Sequence, residues 1–176
     1  MKKIFKWGFI GFIILIVISA IAGSDSSSPK KIGVSDTATK TKANVQDKTK
    51  IFKIGDKVNL NGKTIIVNGV KAYTSQNQFL APKSGNKFVA VDVTLRNDSE
   101  EAYNYNVLEF SLQDNQDYSY SNATTDIKPC LTVGAIQPGQ TTRGFIAFEI
   151  PSENESVKLV YTPSFWGTAQ VIIELR

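Results

Sequence analysis

Alternation with a period of two runs through the last two-thirds of this chain, and it leaves little choice of secondary structure. In KFVAVDVTLRN, Val89, Val91, Val93 and Leu95 point one way, while Ala90, Asp92, Thr94 and Arg96 point the other. Successive side chains of a strand take opposite sides, so such a run reads as a strand with one buried face. VLEFSLQD sets Leu108, Phe110 and Leu112 against Glu109, Ser111 and Gln113, and GFIAFEIP sets Ile146, Phe148 and Ile150 against Phe145, Ala147 and Glu149. The pattern returns in Val157, Leu159 and Tyr161 and in Val171, Ile173 and Leu175. No window of the region sustains an apolar period of 3.6 residues.

The punctuation between these runs is that of strand exits. Asn61-Gly62 separates KVNL from KTIIV, and a two-residue type I′ turn needs positive φ at both positions, which Asn and Gly tolerate. That register sets Val58 opposite Ile65, an apolar cross-strand pair. Pro82-Lys83-Ser84-Gly85, Asp114-Asn115, Gln137-Pro138-Gly139 and Pro163 mark further breaks. Seven or more short alternating strands predict an all-β domain over residues 51–176, an immunoglobulin-like two-sheet sandwich. By pattern alone a single closed barrel fits as well.

The order IGDKVNLNGKTIIVNGV, LAPKSGNKFVAVDVTLRNDSE, FSLQDNQDYSY, IQPGQTTRGFIAFEIPSE resembles the telokin-like, immunoglobulin-like domain of unknown function carried by Gram-positive exported proteins. That family is related in fold to a secreted mycobacterial immunoprotective antigen. The resemblance spans roughly residues 51–176 and implies a sandwich and export. It implies no catalytic residues. Many members are lipoproteins; this chain differs in having no cysteine after its apolar leader to bear the lipid.

That leader, residues 1–23, sets Lys2, Lys3 and Lys6 before an apolar run from Trp7 to Gly23 interrupted only by Ser19. Two readings stand. A spanning helix needs roughly 20 apolar residues, with a lower limit of about 17, and the lysines place the N-terminus in the cytoplasm. A signal peptide needs a small-x-small cleavage site, which Ala20-Ile21-Ala22 supplies, with release after Ala22. The first predicts an N-terminal apolar helix that holds the protein in the cell membrane as a single-pass chain, C-terminal domain outside. The second predicts a secreted protein. Residues 24–50, rich in Ser, Thr, Lys, Asp and Ala, are too poor in apolar surface to offset the entropy of ordering and read as a disordered tether.

Charge divides along the same line. Residues 1–50 hold nine Lys and three Asp, a net +6; residues 51–176 hold eleven Lys/Arg and thirteen Asp/Glu, a net −2. A nucleic-acid module keeps its basic cluster on the folded part, so DNA and RNA are set aside as partners. Histidine is absent, which removes Ser-His-Asp and Cys-His nucleophile pairs and imidazole metal sites. No cofactor, no metal and no enzyme activity are expected. Two carboxylates acting as in a glycosidase remain as an alternative; by elimination these are Asp92 and Glu109, both on the polar face of their strands. Asp114-Asn115-Gln116-Asp117 lacks the glycine and terminal glutamate of an EF-hand loop and reads as a polar hairpin turn. Cys130, the single cysteine, reads as a small buried hydrophobe beside Leu131, with a free thiol or an intermolecular bridge as the alternative.

One region is compositionally distinct. Ala102-Tyr103-Asn104-Tyr105-Asn106 and Tyr118-Ser119-Tyr120-Ser121-Asn122 gather four of the six tyrosines among Asn and Ser, the palette of antibody binding loops. Tyr103, Tyr105, Tyr118 and Tyr120 are therefore the candidate partner-binding residues, their rings packed on the sandwich rim being the plain alternative. The expected role is an extracytoplasmic binding module, tied to the membrane by residues 1–23 and meeting a protein or cell-wall partner. An envelope spacer without a ligand of its own is the rival.

Overall fold

The chain makes a tight reversal at Asn61-Gly62, where φ is +52° and +78°, the left-handed pair that a tight hairpin requires. The structure, a computed structural model, describes residues 30–31, 50–163 and 170–176. The readings of the leader, and of the tether apart from Lys30, Lys31 and Lys50, lie outside the described residues. Within them the strands are β1 (Lys30–Lys31), β2 (Ile51–Lys53), β3 (Lys57–Leu60), β4 (Lys63–Tyr73), β5 (Asn86–Asn97), β6 (Tyr103–Asn106), β7 (Phe110–Asp114), β8 (Ser119–Ser121), β9 (Val133–Ile136), β10 (Thr141–Pro151), β11 (Val157–Tyr161) and β12 (Val171–Glu174).

They form two five-stranded sheets, ordered β1-β3-β4-β5-β10 and β2-β12-β11-β7-β8, and a two-stranded ribbon, β6-β9. The fold is the immunoglobulin-like two-sheet sandwich, not a closed barrel. Val58 faces Ile65 across the first hairpin, as the turn dictates. The core lies between the sheets. Val89, Val91, Val93, Leu95, Ile146, Phe148 and Ile150 meet Phe52, Phe110, Leu112, Leu159, Tyr161 and Ile173 there. Phe110 and Tyr161 sit directly opposite on β7 and β11, ring centroids 4.6 Å apart, within the range where aromatic pairs attract.

Where β5 leaves the core, a buried amide organises the end of the sandwich. Asn97 donates from Nδ2 to the carbonyls of Glu101 (2.7 Å) and Ile136 (2.8 Å), while its Oδ1 accepts from Ser99 N (2.9 Å) and Oγ (2.6 Å). All of its hydrogen-bonding capacity is used inside the protein, which is what permits full burial. The ribbon is thereby tied to the main sheet.

Three findings differ from the sequence pattern. Leu108 does not begin a strand. Asn106 caps a short 3-10 helix, Val107–Glu109, accepting from Leu108 N at 3.0 Å, and Leu108 turns to solvent. Strand pairing starts only at Phe110 because the cap consumes the residues before it. Second, Ala90, Ala147 and Phe88, on the side opposite the core, are buried as well, because a later segment covers that face. Third, within the expected tether, Lys30 and Lys31 pair antiparallel with Asn59 and Val58.

Val91 has no exposed surface, so Val91→Asp leaves an unpaired charge in the core and should abolish cooperative unfolding of the full chain in urea. Asp92, by contrast, accepts from Arg143 at 2.6 Å on the outer face. Asp92→Asn should cost less than about 1 kcal/mol by the same measurement, the usual range for an exposed pair.

Candidate functional site

Strand β10 ends the first sheet, and its outer edge would stand bare but for the connection from β8 to β9. Ala123 N donates to the Ala147 carbonyl at 2.7 Å, Leu131 N to the Phe145 carbonyl at 2.9 Å, and Phe145 N to the Pro129 carbonyl at 2.8 Å. The connection thus touches the edge at both ends and arches between them. Its middle crosses the outer face of the sheet, where Ile127 packs on Ala90 and Ala147 with Tyr73 and Phe145 beside them. Asp126 clamps the arch, accepting from the Tyr73 hydroxyl at 2.7 Å and from Gln76 N at 3.0 Å. Hydrogen bonds from Ser75 and Tyr73 hold its carboxyl down at about 2.

Gly144 allows the far foot of the arch to land. A Cβ there would lie 2.9 Å from Leu131 N and 3.0 Å from the Cys130 carbonyl carbon; this is backbone against backbone, which cannot give way as a flexible side chain does.

Beneath the arch lies a cleft of about 380 Å³ lined by Asn106, Val107, Asn122 to Thr125, Ile127, Cys130 to Val133 and Phe145 to Ala147. Among the described residues no charged side chain lines it. Apolar groups make its walls, and asparagine and threonine side chains are interspersed among them, a composition suited to an uncharged ligand. Val133, 67% exposed, stands among the lining residues. A second cleft of about 300 Å³ shares Asn122, Ala123 and Thr124 and reaches Phe79, Phe88 and Glu149. Phe79 is 86% exposed.

Cys130 is exposed rather than buried. It pairs with Phe145 in an isolated parallel bridge, and alternation along the chain then sends Leu131 into the core and Cys130 outward, so the expected burial of Cys130 does not hold. Cys130 is one of the residues that line the cleft.

The four candidate tyrosines are divided between two places. Tyr103 and Tyr105 belong to the ribbon, and Tyr118 and Tyr120 to the β7–β8 hairpin. Tyr105 lays its ring over Gly134, where a Cβ would lie 2.8 Å from the ring. The Lys63 ammonium sits 4.7 Å from the centre of the Tyr103 ring. Tyr120 donates to Asp114 Oδ2 at 2.8 Å and accepts from Asn154 Nδ2 at 2.9 Å. Tyr103, Tyr105 and Tyr120 pack against the core, whereas Tyr118 is 63% exposed. The 114–117 segment is the polar turn read from the sequence, with Asp114 Oδ1 accepting from Gln116 N and Tyr118 N. Among the described residues no group of three His, Cys, Asp or Glu is placed to hold a metal ion.

Asp92 and Glu109 do not face each other. Asp92 lies on the outer face of β5, bound to Arg143 and Asn68, and the guanidinium hydrogen bond holds its carboxyl below the usual range. Glu109 is half-buried at the end of the sandwich, hydrogen-bonded to Tyr161 and to Asn106 N–H, and burial raises its pKa. Its Oε2 and the Tyr103 hydroxyl are buried and find no hydrogen-bond partner among the described residues. Burial together with Glu109 pushes the Tyr103 phenol up to about 12.

The cleft was not legible in the sequence. Its far wall, NATTDIKPCLTV, has neither period, and its hydrogen bonds to β10 are made by backbone atoms that carry no residue signature.

Residues 52–171 match the model of a domain of unknown function, DUF4352. Among solved structures the fold is similar to the yjhA protein of Bacillus subtilis, with 22% identity, TM-score 0.58, and 71% of this chain and 99% of that one covered. It is also similar to ycdA of Bacillus subtilis, a candidate lipoprotein, with 17% identity, TM-score 0.54, and 64% of this chain but only 35% of that one covered. MPT63, a secreted protein of Mycobacterium tuberculosis, aligns at 15% identity and TM-score 0.49 over 64% of this chain and 82% of its own. No curated protein matches.

Gly144→Ala should lower the melting temperature by several degrees, an effect of about 1–3 kcal/mol typical of overpacking. In the same variant Cys130 should react faster with a maleimide, because the foot of the arch is displaced. Glu109 gives a pH signature. Its folded pKa is raised, so the stability it contributes is fully present below the unfolded value of about 4.3 and is lost as pH rises through the folded value. Glu109→Gln keeps an acceptor for Tyr161 and Asn106 N–H. It should melt above the parent at pH 7 and match it near pH 4.

Proposed function

The chain belongs to the DUF4352 family, and on that premise we propose that it is an extracytoplasmic binding module, held at the membrane by residues 1–23, that receives an uncharged, partly apolar partner segment under the Asn122–Thr132 arch. The observation that carries this reading is the cleft. It is built by a dedicated segment, clamped at Asp126 and seated on Gly144, and the described residues that line it carry no charge. A domain used only to hold distance needs no such feature.

The location follows from the leader, whose three lysines precede 17 residues from Trp7 to Gly23 with one polar member. A fold neighbour that is itself a candidate lipoprotein is in keeping with it. Catalysis by paired carboxylates is disfavoured, because Asp92 is neutralised by Arg143 on one face and Glu109 sits at the end of the sandwich, away from that face.

The test is capture from solubilised membranes with the full chain as bait. Val133→Asp introduces a charge at a position already exposed, so its unfolding free energy should stay within about 0.5 kcal/mol of the parent, yet capture should be lost. An unchanged set of captured proteins would place recognition outside the cleft. Protease added to cells stripped of wall should degrade residues 51–176. Protection of the whole chain there would overturn the outside orientation, and a form in the medium beginning at Gly23 would show release instead of anchoring.

A further inference from the structure

Strand β1 sits on the open side of β3, with Lys30 opposite Asn59 and Lys31 opposite Val58. β3 runs towards the Asn61-Gly62 turn, and β1 is antiparallel to it. The chain preceding Lys30 therefore approaches from the Asn61-Gly62 end of the sandwich. The same end carries the 98–102 turn, where Asp98 N donates to the Gly62 carbonyl at 2.7 Å, and the Gln137–Gly139 turn, where Gly139 N donates to the Asn97 carbonyl at 2.8 Å. Phe79 is at the opposite end, in the connection between β4 and β5, with the 151–154 turn beside it through the bond from Ser152 N to the Gly85 carbonyl.

From this we infer that Lys30–Lys31 clip the tether to the domain, so that the sandwich stands end-on to the membrane, its Asn61-Gly62 end inward and its Phe79 end outward. The inference rests on the membrane-held reading above. Covalent geometry sets the reach. The seven steps from Gly23 to Lys30 span at most about 25 Å, whereas the 28 steps from Gly23 to Ile51 would span up to about 100 Å. The clip thus converts a long leash into a short one. Twelve residues of β5, at about 3.3 Å each, separate the two ends of the sandwich by roughly 35–40 Å. Pairing also covers a strand edge that would otherwise be open to other chains. It is favoured because the segment is part of the same chain, at an effective concentration on the order of millimolar.

The test uses the full chain with Cys130→Ser, a single fluorophore at Glu100→Cys or Phe79→Cys, and phosphatidylcholine/phosphatidylglycerol vesicles carrying a headgroup-linked acceptor. Energy transfer should be several-fold stronger from position 100 than from position 79. Lys30→Pro with Lys31→Pro removes both edge amides and should erase the difference. A Gly/Ser insert of about ten residues before Ser24 should weaken transfer from both positions, while the same insert between Val34 and Ser35 should leave both unchanged. Equal transfer from the two positions, or two inserts acting alike, in protein that sediments with the vesicles would overturn the clip alone. Protein that stays in the supernatant would overturn the anchoring and the inference with it.

Discussion

An edge strand cannot be left with its amides and carbonyls facing water along its whole length without inviting other chains to pair with it. At β10 this requirement is met by the Asn122–Thr132 connection, and much else in the molecule follows from how it is met. Backbone bonds at Ala123, Pro129 and Leu131 fasten the connection to β10. Two footholds with an arch between them leave space beneath, and that space is the cleft. Because the arch crosses the outer face, it also gives Ala90 and Ala147 something to bury against. The same crossing takes Asp126 to Tyr73, binding the first sheet's far end to its edge.

Polar groups inside the protein are few and concentrated where chain segments must be held together. Asn97 fastens the ribbon, and Asp114 gathers Gln116, Tyr118, Tyr120 and Asn154. Each is fully engaged, so each is stabilising in spite of burial. Glu109 and Tyr103 are different. Each has a buried oxygen with no partner among the described residues, and both pKa values are displaced upward by burial. The stability of this part of the sandwich responds to pH through Glu109, and it lies beside Lys63 at the end from which β1 enters. The tyrosines that look alike in sequence therefore do different work. Tyr105 shields a glycine, Tyr120 completes a hydrogen-bond network, Tyr103 carries a buried hydroxyl, and Tyr118 alone among these four is largely free in solvent.

How much could be read from residues alone depended on whether the signal was local. Alternation in KFVAVDVTLRN and GFIAFEIP located β5 and β10 because a pleated strand with one buried face must alternate. Asn61-Gly62 located the first hairpin because few residues accept positive φ twice. The polar turn at 114–117 was legible for similar reasons, and so was the absence of histidine chemistry. Leu108 misled because a cap at Asn106 outcompeted a pattern that continued smoothly through it. Cys130 misled because its orientation is set by a backbone bridge to Phe145, fifteen positions away, and no neighbouring residue reports that bridge.

By itself, then, the sequence determined an all-β fold, its inward-facing set and its tightest turns, since each depends on the conformational range of a few adjacent residues. Only the tertiary structure decided which strand would end each sheet, which segment would cover that end, and where a cleft would remain. Those choices are made by backbone hydrogen bonds between distant segments. Amide and carbonyl groups are common to nearly every residue, so the pairings they select leave almost no trace in the order of side chains.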